Sequence, residues 1–153
     1  MGMIKRRINP DLFSALVESI IGQQISNKAA VTVCGRLDVV CGAGRSPNGE
    51  LPANASRINA SRIHSLSVEE IQACGMSMRK AVYIKNIADA AVNKIIDLDE
   101  LLQKSDTEII ASLTDIKGIG VWTAEMLLIF SLMRLDVVSY GDLAIRRGMT
   151  QLY

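Results

Sequence analysis

Aromatic side chains are scarce in this 153-residue chain, which has one Trp, three Tyr and two Phe. Packing therefore falls to Leu, Ile, Val, Ala and Met. Hydrophobic residues make up 49% of the sequence, enough to argue against disorder. With only three prolines, that mix favours helices over a β-sandwich or barrel. A dominant charge is missing as well. The formal net charge is +1, so no overall basic field announces a nucleic-acid partner. No apolar run reaches the roughly 18 residues of a membrane span; the longest, 126–133, is interrupted by Ser131. No apolar stretch follows the basic cluster of MGMIKRRINP, so the N-terminus does not read as a signal peptide. Three cysteines, Cys34, Cys41 and Cys74, are an odd set without C-x-x-C spacing. They exclude a disulfide framework and the usual zinc sites, and they fit a reducing cytosol. Cys34 and Cys41 read as small buried apolar residues of one helix. The sole histidine, His64, has no triad partner in view and reads as a surface or loop residue.

What is present is clear helix punctuation. Asn9 can cap a helix with Pro10 at its first position, followed by Leu12, Phe13, Leu16, Val17, Ile20 and Ile21 at helical spacing. Gly22, Gln23 and Gln24 interrupt the apolar pattern, and Ser26 or Asn27 caps a second helix. Residues 42–56 are a loop by composition. Ser67 and Glu70 form a capping box for a short helix, with Gly75 as its C′ residue. Ser77 opens another helix. Ser105 and Glu108 form a second capping box. A break at Lys117-Gly118-Ile119-Gly120 leads directly into an apolar helix from Val121 to about Met133, and a last helix starts near Asp142. Nothing alternates like a strand or carries a hairpin signal. The expected fold is all-α, about seven helices joined by short turns. The last helix runs into Tyr153 with no stop signal, which suggests a fragment of a longer protein. Charge is unevenly spread. Residues 1–85 hold 11 basic and 6 acidic side chains, whereas 89–115 hold 2 basic and 7 acidic, so one face could meet DNA while another repels it.

The informative stretch is 113–147, LTDIKGIGVWTAEMLLIFSLMRLDVVSYGDLAIRR. A Gly-x-Gly turn entering a helix exposes unpaired backbone N–H groups at the positive end of the helix dipole, where a phosphate can sit. Glycine also lets a DNA backbone approach without a Cβ clash. Taken alone, such a turn is equally a tight connection between two helices.

The wider pattern resembles the helix-hairpin-helix DNA repair glycosylases. Ile116-Lys117-Gly118-Ile119-Gly120 with Trp122-Thr123-Ala124 is similar to their hairpin. Asp136-Val137-Val138, Gly141-Asp142-Leu143 and Ile145-Arg146 look like the loop that carries their catalytic aspartate. The segment 16–26 resembles the family's first barrel helix and minor-groove loop, and Met78-Arg79-Lys80-Ala81 with Ile84 resembles its middle helix. The resemblance spans roughly residues 8–150, with four segments in the right order, and is to the monofunctional branch, the 3-methyladenine-DNA glycosylase II type. It implies a helical barrel domain over 12–134 with the hairpin at about 106–133, and an incomplete second helical domain over 1–11 and 135–153.

The resemblance also implies roles. Asp142 is the expected catalytic carboxylate, stabilising oxocarbenium charge and orienting or deprotonating water; Asp is equally a good helix cap. Trp122 stands where bifunctional relatives carry a nucleophilic lysine. An indole could stack on a flipped, positively charged alkylated purine or simply pack between the hairpin helices. Tyr140 is a second candidate for the base pocket. Gln24, beside Gln23, is the implied wedge that fills the hole left by the extruded base; a solvated turn is the plain alternative. Lys117, Gly118, Ile119, Gly120 and Arg146 are expected to contact DNA, with Lys5, Arg6, Arg7 and Arg147 as further phosphate candidates. The backbone carbonyls of Thr114, Ile116 and Ile119 are the implied ligands of a monovalent cation. No other cofactor is expected, and the cysteines do not match the four-cysteine iron–sulfur loop of some members. The expected activity is hydrolysis of the N-glycosidic bond of a damaged base, an alkylated purine, with water as nucleophile. A non-catalytic DNA-binding module and a bifunctional oxidised-base glycosylase/lyase are the alternatives. The expected partner is double-stranded DNA containing a damaged base, met by a monomer without a membrane, in the cytoplasm or, in a eukaryote, the nucleus.

Overall fold

A computed structural model describes residues 11–42, 58–134, 136–139 and 141–152. Among the described residues the chain is all-helical, without a strand: α1 (Leu12–Gly22), α2 (Asn27–Val40), α3 (Ala60–Ser65), α4 (Val68–Gln72), α5 (Met78–Val92), a 3₁₀ turn (Glu100–Gln103), α6 (Asp106–Thr114), α7 (Val121–Phe130) and α8 (Leu143–Leu152). No helix among these residues is long and apolar enough to cross a membrane.

Side-chain caps start most of these helices. Ser26, Ser67, Ser77 and Ser105 each accept a backbone N–H in the first turn, and Ser67–Glu70 and Ser105–Glu108 close both bonds of a capping box. The Ser105 hydrogen bonds hold the Glu108 carboxyl below the usual carboxylate range. Helix α1 differs from expectation. Its cap is Asp11, whose carboxylate accepts from Phe13 N, and the helix starts at Leu12, two residues beyond the Pro10 start. Asn9 and Pro10 lie outside the described residues. Gly75, at φ 105°, closes the turn after α4 but stands one position beyond C′, which is Cys74 because the C-cap is Ala73.

Two elements were not expected, α3 and the 3₁₀ turn, and one helix is shorter than expected. Helix α7 stops at Phe130 rather than Met133. The chain turns back there: Leu132 N–H reaches the Leu127 carbonyl, Arg134 N–H reaches that of Leu128, and Met133 takes φ 54°. These bonds satisfy two of the last carbonyls of the helix, with Met in the left-handed conformation where Gly is usual.

Helix α1 is central, packing on α2, α5 and α7; α3 and α4 cover α5, and α6 pairs with α7. Leu16, Ile20 and Ile21 from α1 meet Leu37, Ile84, Ile87, Ile109 and Leu113 in one core, all fully buried. Cys41 and Cys74 are buried and Cys34 half-buried, all three as free thiols. Burial, reinforced by nearby carboxylates, pushes the Cys34 and Cys41 thiols up to about 11. His64 sits on α3 with Nδ1 2.7 Å from Asp89 Oδ1 of α5, so it is a paired helical residue rather than a loop one.

Candidate DNA-binding and catalytic site

The α6–α7 hairpin turns through Ile116, Lys117, Gly118 and Ile119, closed by an N–H···O bond from Ile119 to the Ile116 carbonyl (3.0 Å). Ile116 and Ile119 put their side chains into the core, at 8% and 4% exposure. Ile119 can therefore meet a ligand only through its backbone. The two glycines have different reasons to be glycine. Gly118 has φ 108°, and a Cβ there would lie 2.2 Å from Tyr83 Cγ. Its missing side chain makes room for Tyr83 of α5. Gly120 has an extended backbone and a Cβ there would meet open space. It is the N-cap of α7, with no side-chain cap hydrogen bond. The first turn of α7 thus presents backbone N–H groups and the positive dipole end outward, with Lys117 exposed beside it.

Two residues into α7, Trp122 is 41% exposed, which excludes core packing. Its Nε1–H donates to Asp142 Oδ2 at 3.0 Å. The structure therefore brings together the two side chains singled out from the sequence, 20 residues apart. Asp142 also occupies the cap position of α8, its carbonyl accepting from Arg146 N–H. Cap placement and the indole contact coexist. Trp122 lines a groove of about 430 Å³ between α1 and α7, with Leu16, Ser19, Thr123, Met126 and Phe130 on its walls. That volume suits a small planar ligand, and its lining is mostly apolar. Arg146 and Arg147 are exposed on α8. Tyr140 and the Lys5-Arg6-Arg7 cluster lie outside the described residues.

The Gln23–Gln24 turn reaches the same region. Gln23 Nε2 lies 3.4 Å from Thr123 Oγ1, a long contact that bridges the end of α1 to the start of α7. Gln24 is exposed and has φ 58°, a left-handed conformation that a non-glycine residue adopts at a cost. Lys80 of α5 secures this turn, its ammonium donating to the carbonyls of Ile21 (2.7 Å) and Gln23 (2.6 Å). Desolvation lowers the Lys80 pKa. A cation at the C-terminal end of α1 also complements that helix dipole. Lys80 is a site residue that sequence reasoning did not single out, as are Glu125 and Ser139. The fully buried Ser139 donates its hydroxyl to Glu125 Oε2 of α7. Among the described residues no His, Cys, Asp and Glu group is arranged to hold a metal ion.

Known proteins resemble this chain in sequence and in fold. The family model of HhH-GPD superfamily base excision DNA repair proteins matches residues 17–153. DNA-3-methyladenine glycosylase 1 of Schizosaccharomyces pombe is 37% identical over 142 residues, covering 92% of this chain and 58% of that protein. The DNA-3-methyladenine glycosylase of Saccharomyces cerevisiae is 35% identical over 144 residues, 92% of this chain and 46% of that protein. This chain thus spans about half the length of these curated relatives. Among solved structures, a DNA-3-methyladenine glycosidase from Bacillus halodurans superposes with a TM-score of 0.81 at 36% identity, covering 98% of this chain and 64% of that one. The S. pombe 3-methyladenine DNA glycosylase in complex with abasic DNA superposes with a TM-score of 0.73 at 36% identity, covering 95% and 68%. The hairpin, the carboxylate after it and the match over residues 17–153 together place this chain in the HhH-GPD superfamily of base excision DNA repair proteins.

Proposed function

We propose that this chain is the helical core of a monofunctional DNA glycosylase of the 3-methyladenine type. It turns an alkylated purine out of duplex DNA and hydrolyses the N-glycosidic bond with water. The observation that carries the reading is the 3.0 Å hydrogen bond from Trp122 Nε1 to Asp142 Oδ2, which fixes a carboxylate beside an indole that lines a groove next to the hairpin. As the C1′–N bond breaks, its electron pair leaves with the base and positive charge develops on the sugar. Asp142 opposes that charge and takes a proton from the water whose oxygen bonds to C1′. The indole face of Trp122 stacks on the cationic base. Trp122 has no amine, so no Schiff base forms at that position.

Duplex DNA is held in this reading by the first turn of α7 at Gly120, with Lys117, Arg146 and Arg147 adding charge. Gln24, projecting from its left-handed turn, fills the space of the extruded base. The carbonyls of Thr114, Ile116 and Ile119 are hard, uncharged oxygens of the kind that suits a monovalent cation; a cation there would add positive charge to the phosphate-facing turn. In this reading residues 12–134 are the barrel domain, 135–153 with 1–11 belong to an incomplete second helical domain, of which residues 1–10 lie outside those described, and the protein acts as a monomer.

The test is single-turnover base release from alkylated duplex, with duplex affinity measured alongside. Asp142→Asn should slow release by about 10²–10³-fold and leave affinity unchanged, because the charge it opposes exists only in the transition state. The product should be free base and intact abasic strands. Borohydride-trappable adducts with strand nicking would overturn the monofunctional reading. Duplex binding without base release would make the chain a non-catalytic hairpin module.

A further inference from the structure

The loop that presents Asp142 is tied to α7 in two places. Trp122 and Glu125 lie three residues apart, on one face of α7. Ser139 and Asp142 lie three apart on the loop, and Asp142 N–H donates to the Ser139 carbonyl at 3.1 Å, closing a turn. Trp122 Nε1–H donates to Asp142 and Ser139 Oγ–H donates to Glu125 Oε2 at 2.5 Å. Ser139 is fully buried, so its hydroxyl cannot exchange this partner for water at no cost. Bonds to a carboxylate are the stronger kind of hydrogen bond. One helix face thus holds both Ser139 and Asp142, the two residues joined by that backbone hydrogen bond.

We infer that Glu125 is a positioning residue. Through Ser139 it fixes the backbone turn that sets Asp142 against Trp122, and without it the carboxylate is present but misplaced. The inference rests on the reading of Asp142 as the reacting carboxylate. A misplacement of about 1 Å costs on the order of 10²-fold in rate, whereas duplex affinity, set by phosphate contacts elsewhere, does not depend on this turn.

The sole tryptophan supplies a readout separate from activity, because the protein has one indole N–H resonance in a ¹⁵N-labelled sample. Glu125→Ala and Ser139→Ala break the bond from either side. Each should move the indole resonance toward its position in Asp142→Asn, speed its hydrogen exchange and slow base release by about 10–100-fold, with duplex affinity unchanged. Glu125→Gln keeps an oxygen acceptor for the Ser139 hydroxyl and should retain both the resonance and most of the rate. The inference is overturned if the two alanine variants fold with the parent's indole resonance and rate, or if rate, affinity and melting temperature fall together in Glu125→Gln as in Glu125→Ala. If Glu125→Ala does not fold, Ser139→Ala decides the question. If no form, parent included, releases base, the glycosylase reading fails, and the indole resonance alone decides whether the clamp exists.

Discussion

Replacing Gly118 and Gly120 by Ala, one at a time, should give opposite phenotypes. At Gly118 the new Cβ would meet Tyr83 Cγ at 2.2 Å, Cβ at 2.5 Å and Cδ1 at 2.6 Å, against an ordinary carbon–carbon separation of about 3.5–4.0 Å. The ring is held by α5 and must move. Overpacking of this kind costs about 1–3 kcal/mol. Backbone at φ 108° adds about 1–2 kcal/mol for any residue with a Cβ. Gly118→Ala should therefore lose about 2–5 kcal/mol of the roughly 5–15 kcal/mol that holds a domain together, and Tm should drop by about 4–20 °C. At Gly120 the Cβ enters open space. Ala is a poorer cap than Gly, but it restricts the unfolded chain, and the two effects nearly cancel. Stability should stay within about 1 kcal/mol of the parent. Affinity for duplex should fall about 10–100-fold, the worth of one hydrogen bond to a charged group, equally for damaged and undamaged DNA. Urea denaturation and fluorescence anisotropy on a labelled duplex measure the two quantities. A Gly118→Ala protein as stable as the parent, or a Gly120→Ala protein that binds duplex undiminished, would refute the division of labour between the two glycines.

Other perturbations follow from the same geometry. Lys80→Met keeps the stem and removes two donors to backbone carbonyls; it should cost about 1–3 kcal/mol and speed amide exchange in the Gln23–Ile25 turn, and unchanged exchange there would show that the turn holds without Lys80. Ser105→Ala breaks a capping box and should cost about 1 kcal/mol by urea denaturation, with Ser105→Asp restoring most of it. The raised Cys34 and Cys41 thiols favour the protonated form in the folded state, so their contribution is complete below pH 9.0, the ordinary thiol value, and is lost as pH rises toward about 11. The urea midpoint of the parent should fall more steeply over that range than that of a Cys34→Ala/Cys41→Ala protein; parallel curves would exclude the thiols as the cause.

Local signals in the sequence were sufficient for the two capping boxes but not for the start of α1, where Asp11 rather than Asn9 is the cap. The Ser67–Glu70 and Ser105–Glu108 boxes announce their helices because each partner lies within one turn of the other. The end of α7 is not announced, because apolar residues continue through Leu132 and Met133 and no glycine marks the reversal. Helix α3 is only six residues long and buries one of them, Ile63, too little for a periodic pattern. At the site, Trp122 and Asp142 were legible as motif residues, whereas Lys80, Glu125 and Ser139 were not. A lysine or glutamate in a helix reads as solvated until another part of the chain is brought against it. The two hairpin glycines read alike in sequence, and Tyr83 on a distant helix is what separates them.

The hydrogen bonds of the site differ in how much chain each must close. Trp122–Asp142 and Glu125–Ser139 span 20 and 14 residues, while Gln23–Thr123 spans 100 and the Lys80 bonds span 59 and 57. Closing a 100-residue loop costs about 1.5 kcal/mol more entropy than closing one of 14–20. The segment from α7 to Asp142 can therefore assemble early and persist through partial opening, whereas the Gln23–Gln24 turn takes shape only once α1 has docked. If that turn probes the double helix as proposed, mild destabilisation should detach it while leaving the Asp142 carboxylate and its indole partner in register. On that proposal, such a protein would scan DNA poorly before the Trp122–Asp142 pair came apart.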